Sequence, residues 1–245
     1  MVQNISDPHV RSKVQILLDD TRTQNKTDYH ETAIKKHLKT HELRETFIYH
    51  IFESILAILA LLATSPLLLI IALAILINDG FPIFFRQRRL GLNGKPFRIF
   101  KFRTMHKDAE ALLKKDLLLY EKYIRNDYKL LAEEDPRVTK VGKFLRRWSL
   151  DELPQFINVI RGEMHLVGPR PIVQDEIERY GEDAGTFLSV KPGITGLWQV
   201  VGRSDIGYPD RKYLDLLYIE HRSFWLDLTL FFKSFWKVLT RDGAY

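Results

Sequence analysis

Residues 54–77 form an uncharged, apolar run of about 24 positions, enough for a helix to cross a hydrocarbon core about 30 Å thick. Hydropathy alone reads it as a spanning helix. Two features suggest another arrangement. Ser65-Pro66 falls at its middle, where Pro66 cannot donate to the Leu62 carbonyl and crowds that turn, so the helix is expected to bend. Thr64 or Ser65 could serve the freed carbonyl. Lys35, Lys36, Lys39 and Arg44 precede the run, and Arg86, Arg88 and Arg89 follow it. The positive-inside rule therefore draws both ends to the same side. A re-entrant hairpin satisfies both features, while a straight span satisfies hydropathy.

Residues 1–46 are polar with broken apolar spacing, which predicts short helices or a loosely ordered arm. His30, His37 and His41 would share a helix face, but no carboxylate or Cys accompanies them at ligand spacing, so a solvated face is expected. Beyond the apolar run, aromatics at Phe81, Phe84 and Phe85 suit a head-group interface. Asn93-Gly94 predicts a hairpin turn, followed by a strand over residues 97–105. Lys101 and Arg103 would share one face of it and could grip a diphosphate, or simply be solvated. Helical spacing covers residues 108–132, Asp135-Pro136 interrupts it, and a second helix starts near Val141 or Lys143. A short buried helix through Phe156, Ile157 and Ile160 should end at Gly162 as a C-cap. Residues 165–167 suggest a strand and 175–180 a helix. Lys191-Pro192-Gly193 suggests a type II turn, and residues 196–203 a strand carrying Gln199 and closing on Arg203. The C-terminal stripe of Phe224, Trp225, Leu228, Phe231, Phe232, Phe235, Trp236 and Leu239 predicts an amphipathic helix that docks on the core or lies in a membrane interface.

Composition sharpens this outline. The net charge is +6, but eight Lys or Arg and no acid lie between Arg86 and Lys107, leaving the rest near −2. Such a block fits phosphate-rich partners: nucleic acid, anionic lipid or nucleotides. The chain has no Cys, which excludes disulfides and thiolate metal sites. No short apolar signal region appears near residue 10.

The chemistry centres on Ser149-Leu150-Asp151-Glu152-Leu153-Pro154-Gln155, preceded by Arg146 and Arg147 and followed by Gly168-Pro169-Arg170-Pro171. Alone, Ser149 to Glu152 fits a capping box, with Ser149 as N-cap and Glu152 at N3. Prolines on both sides of Arg170 restrict its backbone and pre-position the guanidinium. There is no Asp-x-Asp pair and no P-loop, so a nucleotide-diphosphate enzyme would need its metal carboxylate from Asp151-Glu152.

Lys101-Phe102-Arg103-Thr104-Met105, Asp135-Pro136-Arg137-Val138-Thr139, the Ser149–Gln155 stretch, Gly168-Pro169-Arg170-Pro171 and Lys191-Pro192-Gly193-Ile194-Thr195-Gly196 occur in this order. In this the chain resembles the monotopic phosphoglycosyltransferases, or bacterial sugar transferases, over about residues 47–239. Trp148 and His165 depart from the usual pattern. No additional four-helix membrane domain is recognisable.

The resemblance implies an α+β protein: a polar arm (1–46), a re-entrant membrane helix bent at Ser65-Pro66 (47–80), and a cytoplasmic catalytic domain (81–245). That domain would combine helices, a short β-hairpin or sheet and amphipathic interfacial helices on the inner membrane. It implies that the Asp151 carboxylate attacks the β-phosphorus of a UDP-sugar, releasing UMP. A polyprenyl phosphate (undecaprenyl phosphate in bacteria) then takes the sugar-1-phosphate. Mg²⁺ would be held by Glu152 with Asp151, and phosphates by Lys101, Arg103, Arg146, Arg170, Gln199 and Arg203. Nucleic acid is not an implied partner, and a homodimer is compatible. Nearby cations would keep Asp151 ionised. Two rivals remain: a membrane-anchored lipid-binding scaffold without catalysis, and Asp151 as general base in a direct transfer.

Overall fold

Helix α1 (Pro8–Thr23) begins where Asp7 accepts hydrogen bonds from the backbone of His9 and Val10 at 2.8 and 3.3 Å, a carboxylate cap. The structure, a computed structural model, describes residues 2–23, 47–125, 130, 134–202 and 206–240. Val10, Val14, Leu17 and Leu18 form one buried face of α1, at spacings that align them along a helix. Ser6 N donates to Asp210 at 2.9 Å, so this segment is pinned to the core. The His30, His37 and His41 face lies outside the described residues.

The apolar run forms one helix, α2 (Phe47–Asp79), with Pro66 inside it. Ser65 Oγ donates to the Leu62 carbonyl at 2.8 Å and Thr64 Oγ1 to the Ala60 carbonyl at 2.7 Å. The carbonyl that Pro66 deprives of its donor is thus satisfied, as a lipid environment requires. Only 11% of an apolar 18-residue stretch of it is buried, and Ile55, Leu59, Leu62, Leu69, Ile70 and Ile77 face outward. A soluble domain would bury such a helix. Both ends lean on the rest of the protein. Near the start, Glu53 is buried and accepts from Leu166 N at 2.9 Å. At the end, Asp79 meets Arg103 at 2.9 Å, and Ile71 and Ile75 pack with Phe102 and Leu145.

Strands β1 (Phe84–Leu90) and β2 (Pro96–Phe102) pair antiparallel from Phe84↔Phe102 to Leu90↔Pro96. Asn93 and Gly94 supply the positive φ angles, 54° and 73°, as the turn chemistry predicts. Up to Arg125, the expected helix over 108–132 is divided into α3 (Ala109–Lys114) and α4 (Leu117–Arg125); 126–129 and 131–132 lie outside the described residues. Asp116 accepts from Leu119 N at 3.0 Å and restarts the helix, a local competitor that apolar spacing does not reveal. Helix α5 (Lys140–Arg147) is capped by Thr139, whose hydroxyl accepts from Gly142 N at 2.8 Å. A short helix α6 (Phe156–Ile160) ends at Gly162, with φ 71°, the predicted C-cap.

Strand β3 (His165–Val167) pairs parallel with β4 (Gly193–Thr195). Gly193 does not adopt the positive φ of the expected type II turn; it lies in β4 because its backbone abuts Gly168. A Cβ at Gly193 would stand 2.0 Å from Gly168 N. The expected helix over 175–180 is a 3₁₀ segment, Gln174–Asp183, leading into α7 (Ala184–Leu188). The expected strand over 196–203 is helix α8 (Leu197–Val201), with Leu197, Trp198, Val200 and Val201 buried. Short apolar runs fit either element, and packing on both faces decided for the helix.

Helices α9 (Asp210–His221) and α10 (Phe224–Thr240) complete the core. Leu226 and Leu230 of α10 are fully buried, whereas Phe224, Trp225, Phe231, Phe232, Phe235 and Trp236 are exposed. The helix therefore docks with one face and shows an aromatic face outward. The result is a mixed helix-and-sheet domain carrying one long exposed apolar helix.

Candidate active site

The carboxylate pair sits on a 3₁₀ turn, Leu150–Gln155, with Pro154 inside it. Ser149 precedes it in the left-handed region (φ 53°, ψ 23°) and makes no side-chain cap. The capping box is therefore not formed: an N-cap needs an extended backbone, and Ser149 instead turns the chain sharply after α5. Positive φ at a non-glycine residue is a local strain, located next to the two acids. Leu150 packs against the cluster that Ile71 and Ile75 of α2 form with Phe102 and Leu145, and the turn that carries Asp151 and Glu152 contacts α2.

Lys101 Nζ lies 2.6 Å from Glu152 Oε1, and Arg170 Nη1 is 3.7 Å from the same oxygen. Burial alone would raise the Glu152 carboxyl, but Lys101 and Arg170, with hydrogen bonds from Lys101 and Gln155, hold it below its ordinary value. Asp151 behaves oppositely. Burial pushes its carboxyl up to about 6, outweighing the pull of Lys101 and Arg146, while neighbouring Glu152 adds to the rise. The expectation that nearby cations hold Asp151 ionised is narrowed by this desolvation: a carboxyl near 6 is ionised at neutral pH but takes up a proton in mild acid. Arg146 is lowered by burial, with Asp151 opposing; its Nε donates to Thr104 Oγ1 at 3.0 Å. Helix α5 comes this close to Thr104 because residue 142 is glycine: a Cβ there would meet the Thr104 carbonyl oxygen at 2.0 Å.

Lys101, Arg146 and Arg170 thus converge on the pair. Arg103 does not. It follows the end of β2, its Nη1 faces Asp79 at 2.9 Å, and its Nη2 donates to the carbonyls of Asp79 and Gly80 at 3.1 and 2.6 Å. The Lys101–Arg103 diphosphate grip is replaced by one cation at the site and one anchoring the helix end. Gln199 uses its amide nitrogen on the Ile194 carbonyl at 3.0 Å and contacts neither acid through it. Arg203 lies outside the described residues.

The loop carrying Arg170 is built by glycines. Gly168 N donates to the Thr195 carbonyl and Gly193 N to the Pro169 carbonyl, both at 2.8 Å. Beneath it, Asp215 accepts from the Arg170 backbone and from Tyr180 Oη at 2.9 Å. Asp135 to Thr139 is scaffold: Arg137 Nε donates to Asp135 Oδ1 at 2.9 Å and its guanidinium lies 4.4 Å over the Tyr123 ring. Asn158, which no motif flagged, is fully buried and central. It accepts from Phe100 N at 3.0 Å and donates to the Arg98 carbonyl at 2.8 Å, tying β2 to α6. His165, one of the two atypical positions, is buried and bonded to Glu53 of α2. Trp148, the other, packs against Phe144 at 6.4 Å between ring centres.

A model of the bacterial sugar transferase family matches residues 44–241. The chain belongs to that family. It is 44% identical over 203 residues to the undecaprenyl-phosphate galactose phosphotransferase of Salmonella typhimurium, covering 81% of this chain and 42% of that protein. Against the exopolysaccharide production protein ExoY of Sinorhizobium fredii it is 45% identical over 198 residues, covering 79% of this chain and 86% of that one. It is also 41% identical over 203 residues to the UDP-glucose:undecaprenyl-phosphate glucose-1-phosphate transferase of Escherichia coli, covering 79% and 40%. The chain thus spans less than half of the Salmonella and Escherichia relatives and most of ExoY.

Proposed function

We propose that this protein transfers a sugar-1-phosphate from a UDP-sugar to undecaprenyl phosphate at the cytoplasmic membrane, starting a surface polysaccharide. The observation that carries this reading is the convergence of Lys101, Arg146 and Arg170 on Asp151 and Glu152, on a turn that contacts the apolar helix. The relatives' names, which specify galactose and glucose phosphate transfer to undecaprenyl phosphate, support a hexose donor without choosing between the two.

In the first step the ionised Asp151 carboxylate attacks the β-phosphorus. The bond to the bridging oxygen breaks, its electron pair leaves with UMP, and an aspartyl phospho-sugar remains. In the second, the lipid phosphate oxygen attacks that phosphorus and the carboxylate departs. Splitting the displacement in two lowers each barrier. Lys101 and Arg170 offset phosphoryl charge in the transition state. Two adjacent carboxylates suit Mg²⁺, which binds one or two carboxylates and completes its shell with phosphate oxygens and waters. Glu152, held ionised, would be the principal ligand with Asp151 beside it. Bound there, Mg²⁺ would neutralise charge on the diphosphate.

In this reading α2 is a re-entrant helix bent at Ser65-Pro66 that enters and leaves one leaflet, supported by the anchoring of both ends on one domain through Glu53–His165 and Asp79–Arg103. The aromatic face of α10 would lie at the head groups. A second reading is favoured by one observation: a carboxyl near pKa 6 suits a general base, and Asp151 would then activate the lipid phosphate for direct attack. The test is incubation with UDP-hexoses, first without and then with polyprenyl phosphate, followed by mass spectrometry of the protein. A phospho-hexose on Asp151, with UMP release lost in Asp151→Asn, is expected. Lipid-linked product formed with no adduct at any time would establish direct transfer. No turnover of any UDP-sugar would leave the scaffold reading.

A further inference from the structure

Near Arg170, the guanidinium groups of Arg89 and Arg211 share too little negative charge, although Arg89 donates from Nη1 to the Pro171 carbonyl at 3.2 Å and from Nη2 to Gln87 Oε1 at 2.6 Å. Arg89 Nη1 and Arg211 Nη2 both face Glu176, each at 3.9 Å, beyond hydrogen-bond reach. Arg211 is 6% exposed, and its Nε and Nη2 have no hydrogen-bond partner; neither has Arg89 Nε. Arg211 lies 4.5 Å over the Trp198 ring and Arg170 5.8 Å over the same ring. Trp198 is 7% exposed, and its indole N–H is likewise without an acceptor. Asp215 supplies only part of the missing charge: burial pushes its carboxyl up to about 7 against the pull of Arg211. Arg89 shows the imbalance, being lowered to about 10 by burial, then by Arg170, with Glu176 opposing and Arg211 adding to the fall.

A buried cation with unmet donors is costly, and a planar fork of donors matches a phosphate's oxygens. We infer that Arg89, Arg211 and the Trp198 indole form a phosphate subsite, with Glu176 as its internal counter-ion. It would receive the phosphate that stays with the departing nucleoside monophosphate. The inference rests on the proposed transfer reaction and extends it: Arg170 bridges from Glu152 to the subsite, so the β-phosphate lies at Asp151 and the α-phosphate beyond Arg170. When the bridging bond breaks, the dianion formed on the nucleotide is met by these donors, and Glu176 is displaced. The lipid phosphate belongs on the other flank, because α2 packs with Phe102 and Leu145, whereas Tyr208 and the segment carrying Glu176 cluster around Tyr180.

The test measures dissociation constants for UMP, uridine and a short-chain polyprenyl phosphate on the detergent-solubilised full chain, in wild type, Arg89→Lys, Arg211→Lys, Glu176→Gln and Asp151→Asn. The lysine variants should weaken UMP about tenfold, consistent with loss of one charge-assisted fork, without changing uridine or the lipid phosphate. Glu176→Gln should tighten UMP several-fold, a sign that mere destabilisation would not produce. Should the buried lysine variants unfold in thermal melts, Glu176→Gln decides alone. UMP affinity unchanged or weakened in Glu176→Gln overturns the subsite, as does a change confined to the lipid phosphate. Asp151→Asn should bind UMP within about twofold of wild type while losing transfer. Transfer intact with UMP binding indifferent to these changes refutes the subsite alone; no turnover in wild type refutes the parent reading.

Discussion

Lys101 Nζ stands 2.6 Å from Glu152 Oε1, a charge-assisted contact between the edge of the hairpin and the turn that carries the acids. It explains why two adjacent carboxyls differ: Lys101 and Arg170 overcome burial at Glu152, whereas burial prevails at Asp151. Lys101→Met should raise the Glu152 pKa and reduce UMP release by roughly 10²–10³-fold, the usual effect of deleting a preorganised charge partner. Steady-state kcat/KM with a UDP-hexose checks this, and a loss below twofold would remove Lys101 from the site.

The raised Asp151 carboxyl sets a pH limb. Attack requires the ionised form, so kcat/KM should climb about tenfold per unit below pH 6 and level off above it. Stability moves the other way. The folded state keeps a proton that the unfolded chain loses near pH 4, so this stabilising contribution fades as pH rises from about 4 to about 6. A pH–rate profile with no limb between pH 5 and 7 would show that burial does not control the nucleophile.

Gly168 and Gly193 pack backbone to backbone, holding the loop from which Arg170 reaches Glu152. Gly193→Ala must open that contact, at roughly 1–3 kcal/mol for overpacking. Transfer activity should fall more steeply than thermal stability, because Arg170 moves with the loop. Full activity at a lowered melting temperature would mean that Arg170 placement is not limiting.

Arg103 secures the end of α2 through Asp79. In a double-mutant cycle, Asp79→Asn and Arg103→Gln should show a coupling of about 0.5–3 kcal/mol in denaturant melts in detergent. Strict additivity would mean that the contact does not hold the helix.

The hairpin reading predicts that Cys introduced singly at His50 and Phe81 in this Cys-free chain are both labelled from the cytoplasmic side of sealed vesicles. Labelling from opposite sides would make α2 a spanning helix.

Much of the plan was legible in local chemistry. The apolar run, the Asn93-Gly94 turn, the Gly162 cap and the α10 stripe are decided by neighbouring residues, because periodicity and turn geometry act within a few positions. So is the need for a hydroxyl beside Pro66, which Ser65 meets. The five motifs marked the neighbourhood of the site. They did not separate residues that line it from residues that frame it.

Tertiary packing made that separation. Arg103 and Lys101 are equivalent cations along the chain, yet one meets the end of α2 and the other Glu152, because β2 ends between them. Arg89, Glu176 and Arg211 are far apart in sequence and become neighbours only on folding. The Asp151-Glu152 pair reads as a helix cap from its tetrapeptide, but the left-handed backbone at Ser149 turns both acids towards cations from distant strands and loops. The sequence by itself determined which elements form and which side chains are available for chemistry. Which of them meet, and which carboxyl is pushed up and which held down, depends on long-range contacts and burial that no local pattern encodes.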